Sequence, residues 1–156
     1  MLEHSTIKFR MAGIEDAKLI YDWANDVEVR EASFYSEPIK WETHLNWLTK
    51  KLNDKNSLFL VFYQESKPVG LVRIEDSGEA IIGITIDYRF RGKKLAPILL
   101  NKACSVFWGK SDQSILAFIK KTNLASVKSF EKAGFKFYRN DTVNGNACSV
   151  YIKTKK

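Results

Sequence analysis

The apolar positions of this chain fall into two periods, and the switches between them mark its elements. Within residues 6–12, Ile7, Phe9 and Met11 alternate with Lys8 and Arg10, the pattern of a half-buried strand. Ala17, Ile20, Tyr21 and Ala24 then take the three-and-four spacing of one helix face, with Glu15 and Asp16 where a helix start favours acids. Residues 25–39 keep no period, and Pro38 holds Glu37 out of helical space, so this stretch is predicted to be a loop. Trp41, Leu45, Leu48 and Leu52 mark a second helix, closed by Asn53, Asp54, Lys55 and Asn56. The apolar run Leu58-Phe59-Leu60-Val61-Phe62 reads as a central strand, residues 64–68 as a turn and residues 69–74 as the next strand. Asp76-Ser77-Gly78 is a hairpin turn.

The next run, residues 80–86, is apolar throughout, as expected of a strand buried on both faces. It leads through a basic turn into Leu95, Ile98, Leu99, Ala103, Val106 and Phe107, again at helical spacing. A helix start presents unpaired N–H groups and a positive dipole end, and here Arg89, Arg91, Lys93 and Lys94 crowd around it beside Gly92. Such a unit binds phosphate. Residues 115–119 form a further strand and residues 123–133 a helix, with Asn123 as its N-cap and Gly134 as its stop. Residues 135–139 alternate as a strand, Asn144-Gly145 turns the chain, and Cys148, Val150 and Ile152 supply the last strand. The order is strand, two helices, three strands, helix, strand, helix, two strands. That order predicts one mixed α/β (α+β) domain over residues 1–156, with helices on both faces of the sheet.

Composition agrees with a folded domain: 45% of residues are hydrophobic and 13% aromatic. No apolar run approaches the ~20 residues of a membrane span, and the N-terminus has no apolar signal core, so a cytoplasmic protein without membrane contact is expected. Two cysteines, Cys104 in a helix and Cys148 in a strand, are expected to be buried reduced thiols, with no metal site. The formal charge of +7 favours polyanions. No nucleic-acid motif accompanies it, and a phosphorylated cofactor or nucleotide satisfies the charge equally well.

Two stretches then carry a family likeness. Arg89-Phe90-Arg91-Gly92-Lys93-Lys94 follows the pattern Gln/Arg-x-x-Gly-x-Gly/Ala, departing in Lys94. About thirty residues on stands Asn123-Leu124-Ala125-Ser126-Val127-Lys128-Ser129-Phe130-Glu131-Lys132-Ala133-Gly134-Phe135. With the element order, these resemble the GNAT acetyltransferases over essentially the whole chain. The resemblance implies a single acyl-CoA acyltransferase domain with a mixed, mostly antiparallel sheet, and acetyl-CoA as cofactor. It places pantetheine along Ile84, Thr85 and Ile86. It places the pyrophosphate at Arg89, Arg91, Gly92, Lys93, Lys94, Leu95 and Ala96, and adds Asn123, Ser126 and Phe130 to the cofactor contacts. In many members a tyrosine protonates the leaving sulfur. Here that position is Phe130, which has no proton to give.

The N-terminal part is similar to one branch of the family. Trp23-Ala24-Asn25-Asp26-Val27-Glu28-Val29-Arg30, Ser36-Glu37-Pro38-Ile39 and His44-Leu45-Asn46-Trp47 carry that likeness. The branch holds ribosomal-protein N-terminal acetyltransferases and the nucleotide-sugar amine acetyltransferases of pseudaminic and related nonulosonic acid synthesis. The implied reaction is acetylation of a small primary amine on a nucleotide-linked deoxy amino sugar, with peptide acetylation or a non-catalytic CoA-binding module as the alternatives. The likeness also admits a homodimer. Asn25, Arg30, Trp41 and His44 are expected at the acceptor, Arg30 either on a phosphate or simply solvated. The base is expected from His44 or Glu79, although His44, beside Trp41, Leu45 and Leu48, equally reads as a packing histidine. Gly83 either packs closely against a neighbouring strand or lets backbone approach the thioester. Asn123 serves as cap, as pantetheine contact, or as both.

Overall fold

A computed structural model describes residues 7–156. One seven-stranded sheet is present among them, in the order β1-β2-β3-β4-β5-β7-β6. Its strands are β1 (Ile7–Met11), β2 (Ser57–Gln64), β3 (Lys67–Asp76), β4 (Ala80–Ile86), β5 (Ile115–Lys120), β6 (Lys136–Val143) and β7 (Asn146–Lys153). Every neighbouring pair is antiparallel except β4 and β5. The helices are α1 (Ala17–Ala24), α2 (Val27–Ala32), α3 (Trp41–Leu52), α4 (Ala96–Trp108) and α5 (Leu124–Lys132). Thr6, expected to open the first strand, lies outside the described residues.

Successive side chains of a strand point to opposite faces, and β2 uses both. Leu60 and Phe62 join the core under α4 and α5, with Val72, Ile74, Ile82, Leu99 and Phe130. Phe59 and Val61 join the core under α1 and α3, with Ile20, Trp23, Leu48 and Leu71. Each such burial contributes about 2 kcal/mol against exposure, so β2 is apolar because it serves two cores at once.

Three differences from the sequence reading have local causes. Residues 25–39 contain the short helix α2, whose residues are all at least partly exposed. Without an apolar face it leaves no periodic trace, and its start is set by Asp26 Oδ1 accepting from Glu28 N (3.0 Å) and Val29 N (3.3 Å). The turn before β3 is tighter than expected. Glu65 and Ser66 both have positive φ, 51° and 70°, so β3 already begins at Lys67, and Pro68 sits in it opposite Tyr63 next to a register shift. β6 extends to Val143, beyond its alternating apolar residues.

Candidate active site

Only Ala80 with Ile115 and Ile81 with Leu116 join β4 to β5; beyond them the two parallel strands part. The Asp87 N–H donates to Val69 O (2.8 Å), which fixes the phase of the β3–β4 ladder. Antiparallel pairs alternate, so Gly83 and Thr85 bond β3 while the N–H and C=O of Ile84 and Ile86 face the gap. Ile86 O accepts from Arg91 Nε (3.0 Å). The Ile84 N–H and C=O and the Ile86 N–H thus face the opening, and such groups demand a partner.

The chain leaves β4 through Asp87, which caps the single turn Tyr88–Phe90. Asp87 is 3% exposed. Its carboxylate accepts from Trp23 Nε1 (2.8 Å), Arg89 N (2.9 Å), Arg89 Nε (3.0 Å) and Arg89 Nη2 (3.1 Å). Burial alone would raise its pKa, but the hydrogen bonds from Arg89 and Trp23 outweigh it and hold the group at about 2. Gly92 (φ 76°) and Lys94 (φ 63°) then take left-handed conformations around Lys93. Alternation of this kind gathers successive N–H groups into an anion-binding concavity. A Cβ on Gly92 would meet nothing within 4 Å, so the concavity opens outwards. No side chain caps the start of α4, but Pro97 has no N–H and those of Ile98 and Leu99 donate to Leu95 O (3.0 and 3.1 Å), so the Ala96 N–H is the donor the helix adds there.

The arginines expected in this cradle are otherwise engaged. Arg89 is bound to Asp87, and Arg91 reaches α2 through Asp26 Oδ1 (3.1 Å) and Glu28 Oε1 (3.3 Å). Lys93 and Lys94 are exposed beside the concavity, whereas the Leu95 side chain belongs to the core. Asn123 does cap α5, Oδ1 accepting from Ser126 N (3.2 Å). Phe130 is 3% exposed and packs edge-on against Phe135 at 5.0 Å, which makes it a core residue and not a cofactor-facing one.

The acceptor expectations change more. His44 is 2% exposed, its Nε2 donating to Ala17 O (2.9 Å), among the rings of Tyr21 and Trp41. A ring so enclosed packs α3 on α1 and cannot serve as base to a soluble amine. Glu79 is exposed at the β3–β4 hairpin, four residues and so about 13 Å along the strand from Gly83. It lines a separate shallow hollow with Gln113, Ser114 and Tyr138. The Arg30 guanidinium donates to Ala24 O, Tyr35 O, Glu37 O and Ser33 Oγ, so it braces its own loop where a phosphate contact was expected. Asn25 ties the loop's ends together by exchanging hydrogen bonds with Ile39 N (2.7 Å) and O (2.9 Å). Trp41 stands edge-on to Tyr21, 39% exposed.

The arm formed by residues 25–39 is also fastened from outside. Arg91 holds its α2 start, Lys120 Nζ donates to Glu31 O (2.8 Å) and Asn144 Nδ2 to Phe34 O (2.7 Å). It therefore links the β4 exit turn to the end of β5 and to the β6–β7 turn.

Register sets Thr85, Gly83 and Ile81 opposite Leu71, Arg73 and Glu75, on the face shared with α1 and α3. Arg73 Nε lies 3.2 Å from where a Gly83 Cβ would stand, its guanidinium 5.5 Å over the Trp47 ring. Arg73 Nη1 donates to Glu75 Oε2 (2.8 Å) and Lys51 Nζ reaches Glu75 Oε1 (2.6 Å). Gly83 thus makes room for a neighbouring side chain. Sequence reasoning missed this cluster, whose trace was an Arg-x-Glu inside an apolar strand, opposite the glycine of the next.

The family profile for the acetyltransferase (GNAT) domain matches residues 7–136. The chain belongs to the GNAT family. The matched residues make up an acetyltransferase domain of that family. It is 27% identical over 143 residues to an uncharacterised protein of Methanocaldococcus jannaschii, covering 86% of this chain but 29% of that protein. Its fold matches spermidine N-acetyltransferase from Vibrio cholerae, solved with CoA and spermine (TM-score 0.82, 21% identity, 95% of this chain and 94% of that one). An N-acetyltransferase from Staphylococcus aureus matches at TM-score 0.84 with 22% identity, covering 96% and 99%. An aminoglycoside acetyltransferase with coenzyme A and kanamycin matches at 0.81 with 16% identity, covering 96% and 95%.

Two features of this GNAT chain suit acetyl-CoA. The free edge of β4 offers backbone donors and an acceptor to an amide-bearing arm, and the Gly92–Lys94 concavity offers N–H groups and lysines to a pyrophosphate. Both thiols are buried and unpaired with each other, and burial pushes Cys104 up to about 11, so no thiolate nucleophile is supplied.

Proposed function

We propose that this GNAT protein acetylates the amino group of a nucleotide-linked deoxy amino sugar, in the cytoplasm where acetyl-CoA is supplied. The observation that carries the choice of a small acceptor is the arm of residues 25–39. It is fastened to both sides of the β4–β5 opening, by Arg91 on one and by Lys120 and Asn144 on the other. An arm held in this way closes one end of the cleft, which suits a compact acceptor better than a peptide running through. The small amines and aminoglycosides named with its structural neighbours agree with that size.

Acetyl-CoA brings an acetyl group already activated as a thioester. Ile84 and Ile86 bind its pantetheine through their free backbone groups, with Thr85 and Asn123 alongside. The N–H groups around Gly92, Lys93, Lys94 and Ala96 bind the pyrophosphate, and the two lysine charges add to them. The acceptor approaches from the face of Arg73, Gly83 and Ile81. Glu75, the next residue of β3 on that face, is the carboxylate to receive the amine's proton, oriented there by Lys51 and Arg73. Phe130 donates no proton to the leaving sulfur, and a thiolate departs without one.

The reading is tested by CoA release with a panel of a UDP-linked 4-amino-4,6-dideoxy sugar, spermidine, kanamycin and ribosomal-protein N-terminal peptides. The nucleotide sugar should be turned over fastest; preference for a peptide would overturn it. Gly92→Glu, which places a carboxylate in the concavity, should abolish acetyl-CoA binding in a calorimetric titration, while the melting temperature falls only by what about 1–2 kcal/mol of left-handed strain costs. Unchanged affinity would remove the cradle from Gly92–Lys94.

A further inference from the structure

The Arg73 cluster is not accounted for by packing. Its position in β3 is otherwise apolar, between Val72 and Ile74, both fully buried. Its side chain, however, leaves the sheet on the other face and is 42% exposed, so the guanidinium stands at the surface with donors available to a ligand. Of its five N–H groups, one meets Glu75, and stacking on Trp47 uses none. The Nε and Nη2 hydrogens have no acceptor among the described residues. These two nitrogens form one edge of the planar fork, the edge that binds two oxygens of a phosphate at once. The missing side chain at Gly83 brings that edge to the mouth of the β4–β5 opening, 3.2 Å and 3.7 Å from where a Cβ would stand.

The surrounding charge points the same way. Arg30, although turned to its own loop, is close enough that burial first, and then repulsion from Arg73, lower its pKa. The carboxylate of Glu75 is already divided between Lys51 and Arg73, and the α2 acids Asp26 and Glu28 are turned to Arg91. Arg73 and Lys51 on one carboxylate leave a net positive charge on this face, which repels a polyamine and draws an anion.

We propose that the free edge of Arg73, stacked on Trp47 across Gly83, binds a phosphate of the acceptor and selects phosphorylated amines over polycationic ones. This rests on the acceptor reading above and names the residue that would enforce it. The nucleoside diphosphate of a nucleotide sugar carries that phosphate, and the same chemistry would accept a simple amino sugar phosphate.

The experiment is calorimetric titration of the CoA-saturated protein, so that the cofactor cradle is filled, with UDP-glucosamine, glucosamine 6-phosphate and spermidine as probes. UDP-glucosamine should bind, Arg73→Gln should weaken it about tenfold or more, as loss of a charge-assisted two-point contact does, and CoA affinity should be unchanged. Arg73→Lys, which keeps charge and volume but not the fork, should fall between, so a fold-damaged Gln variant does not decide the outcome. Binding of glucosamine 6-phosphate with the same Arg73 dependence assigns the site to phosphate alone; its absence assigns it to the diphosphate. UDP-glucosamine affinity within twofold of wild type in both variants, or spermidine binding in preference to both phosphates, overturns the proposal. Arg73-dependent binding of UDP-glucosamine without turnover of any nucleotide amino sugar would sink the proposed reaction and leave the phosphate site standing.

Discussion

Lys94 is the residue at which this chain departs from its family's pattern, and its backbone shows why a small residue is usual there. At φ 63° a lysine bears about 1–2 kcal/mol of left-handed strain that glycine does not. Glycine in turn loses about 0.5–1 kcal/mol in chain entropy, so Lys94→Gly should stabilise by about 0.5 kcal/mol, read as a small rise in denaturation midpoint. It should also weaken acetyl-CoA, because one cradle charge goes with it. Asp87 gives a pH signature. Its folded pKa of about 2 lies below the usual 3.8, so the stabilisation it provides is complete above the unfolded value and fades as pH falls towards 2. That is worth on the order of 2 kcal/mol. Asp87→Asn should flatten the loss of stability between pH 4 and pH 2, and should set an amide NH2 against a donor of either Trp23 or Arg89 at neutral pH. A stability curve as steep as wild type's in acid would detach Asp87 from this role. His44→Ala should cost about 3 kcal/mol from the cavity and lost hydrogen bond, with turnover at saturating substrate retained at temperatures where the variant is folded. These side chains could be named from sequence but their partners could not. Burial of His44 depends on where Tyr21 and Trp41 meet, twenty residues apart, which no local spacing encodes.

Among the elements, those with an apolar stripe were readable and those held by polar contacts were not. β2, α3 and α4 bury side chains in regular order, so their periods survive in the sequence. α2 has no buried residue, and its position comes from Asp26, Arg91, Lys120 and Asn144 acting across long sequence distances. Its stability is correspondingly local. Asp26→Ala removes both the N-cap and the Arg91 contact and should cost this segment about 1–2 kcal/mol. Amide exchange and proteolysis within residues 27–36 should accelerate while the global melting temperature moves little; equal protection in the variant would mean that other contacts hold the arm. The basic turn was likewise half legible. Its charge and its glycine were visible, but Arg89 and Arg91 prove to be anchors of the turn, and the surface proposed to bind the cofactor is mostly backbone.

On the scale of the whole molecule, the net charge of +7 and the exposed Lys93 and Lys94 make acetyl-CoA association sensitive to salt. Affinity should fall as ionic strength rises through a few hundred millimolar, and a Lys93→Gln, Lys94→Gln double variant should lose most of that dependence. Helices cover both faces of the sheet, so no helix of the described residues is left as a long apolar rod able to cross a membrane. The division of the sheet has a mechanical meaning as well. β1 to β4 form one leaf and β5 to β7 another, and among the described residues two pairs make up the strand pairing between them. A bound pantetheine arm would then act as an eighth, non-protein strand stitching the leaves together. The site would be stiffest when loaded, and the amides of Ile84 and Ile86 would report each loading as slowed hydrogen exchange.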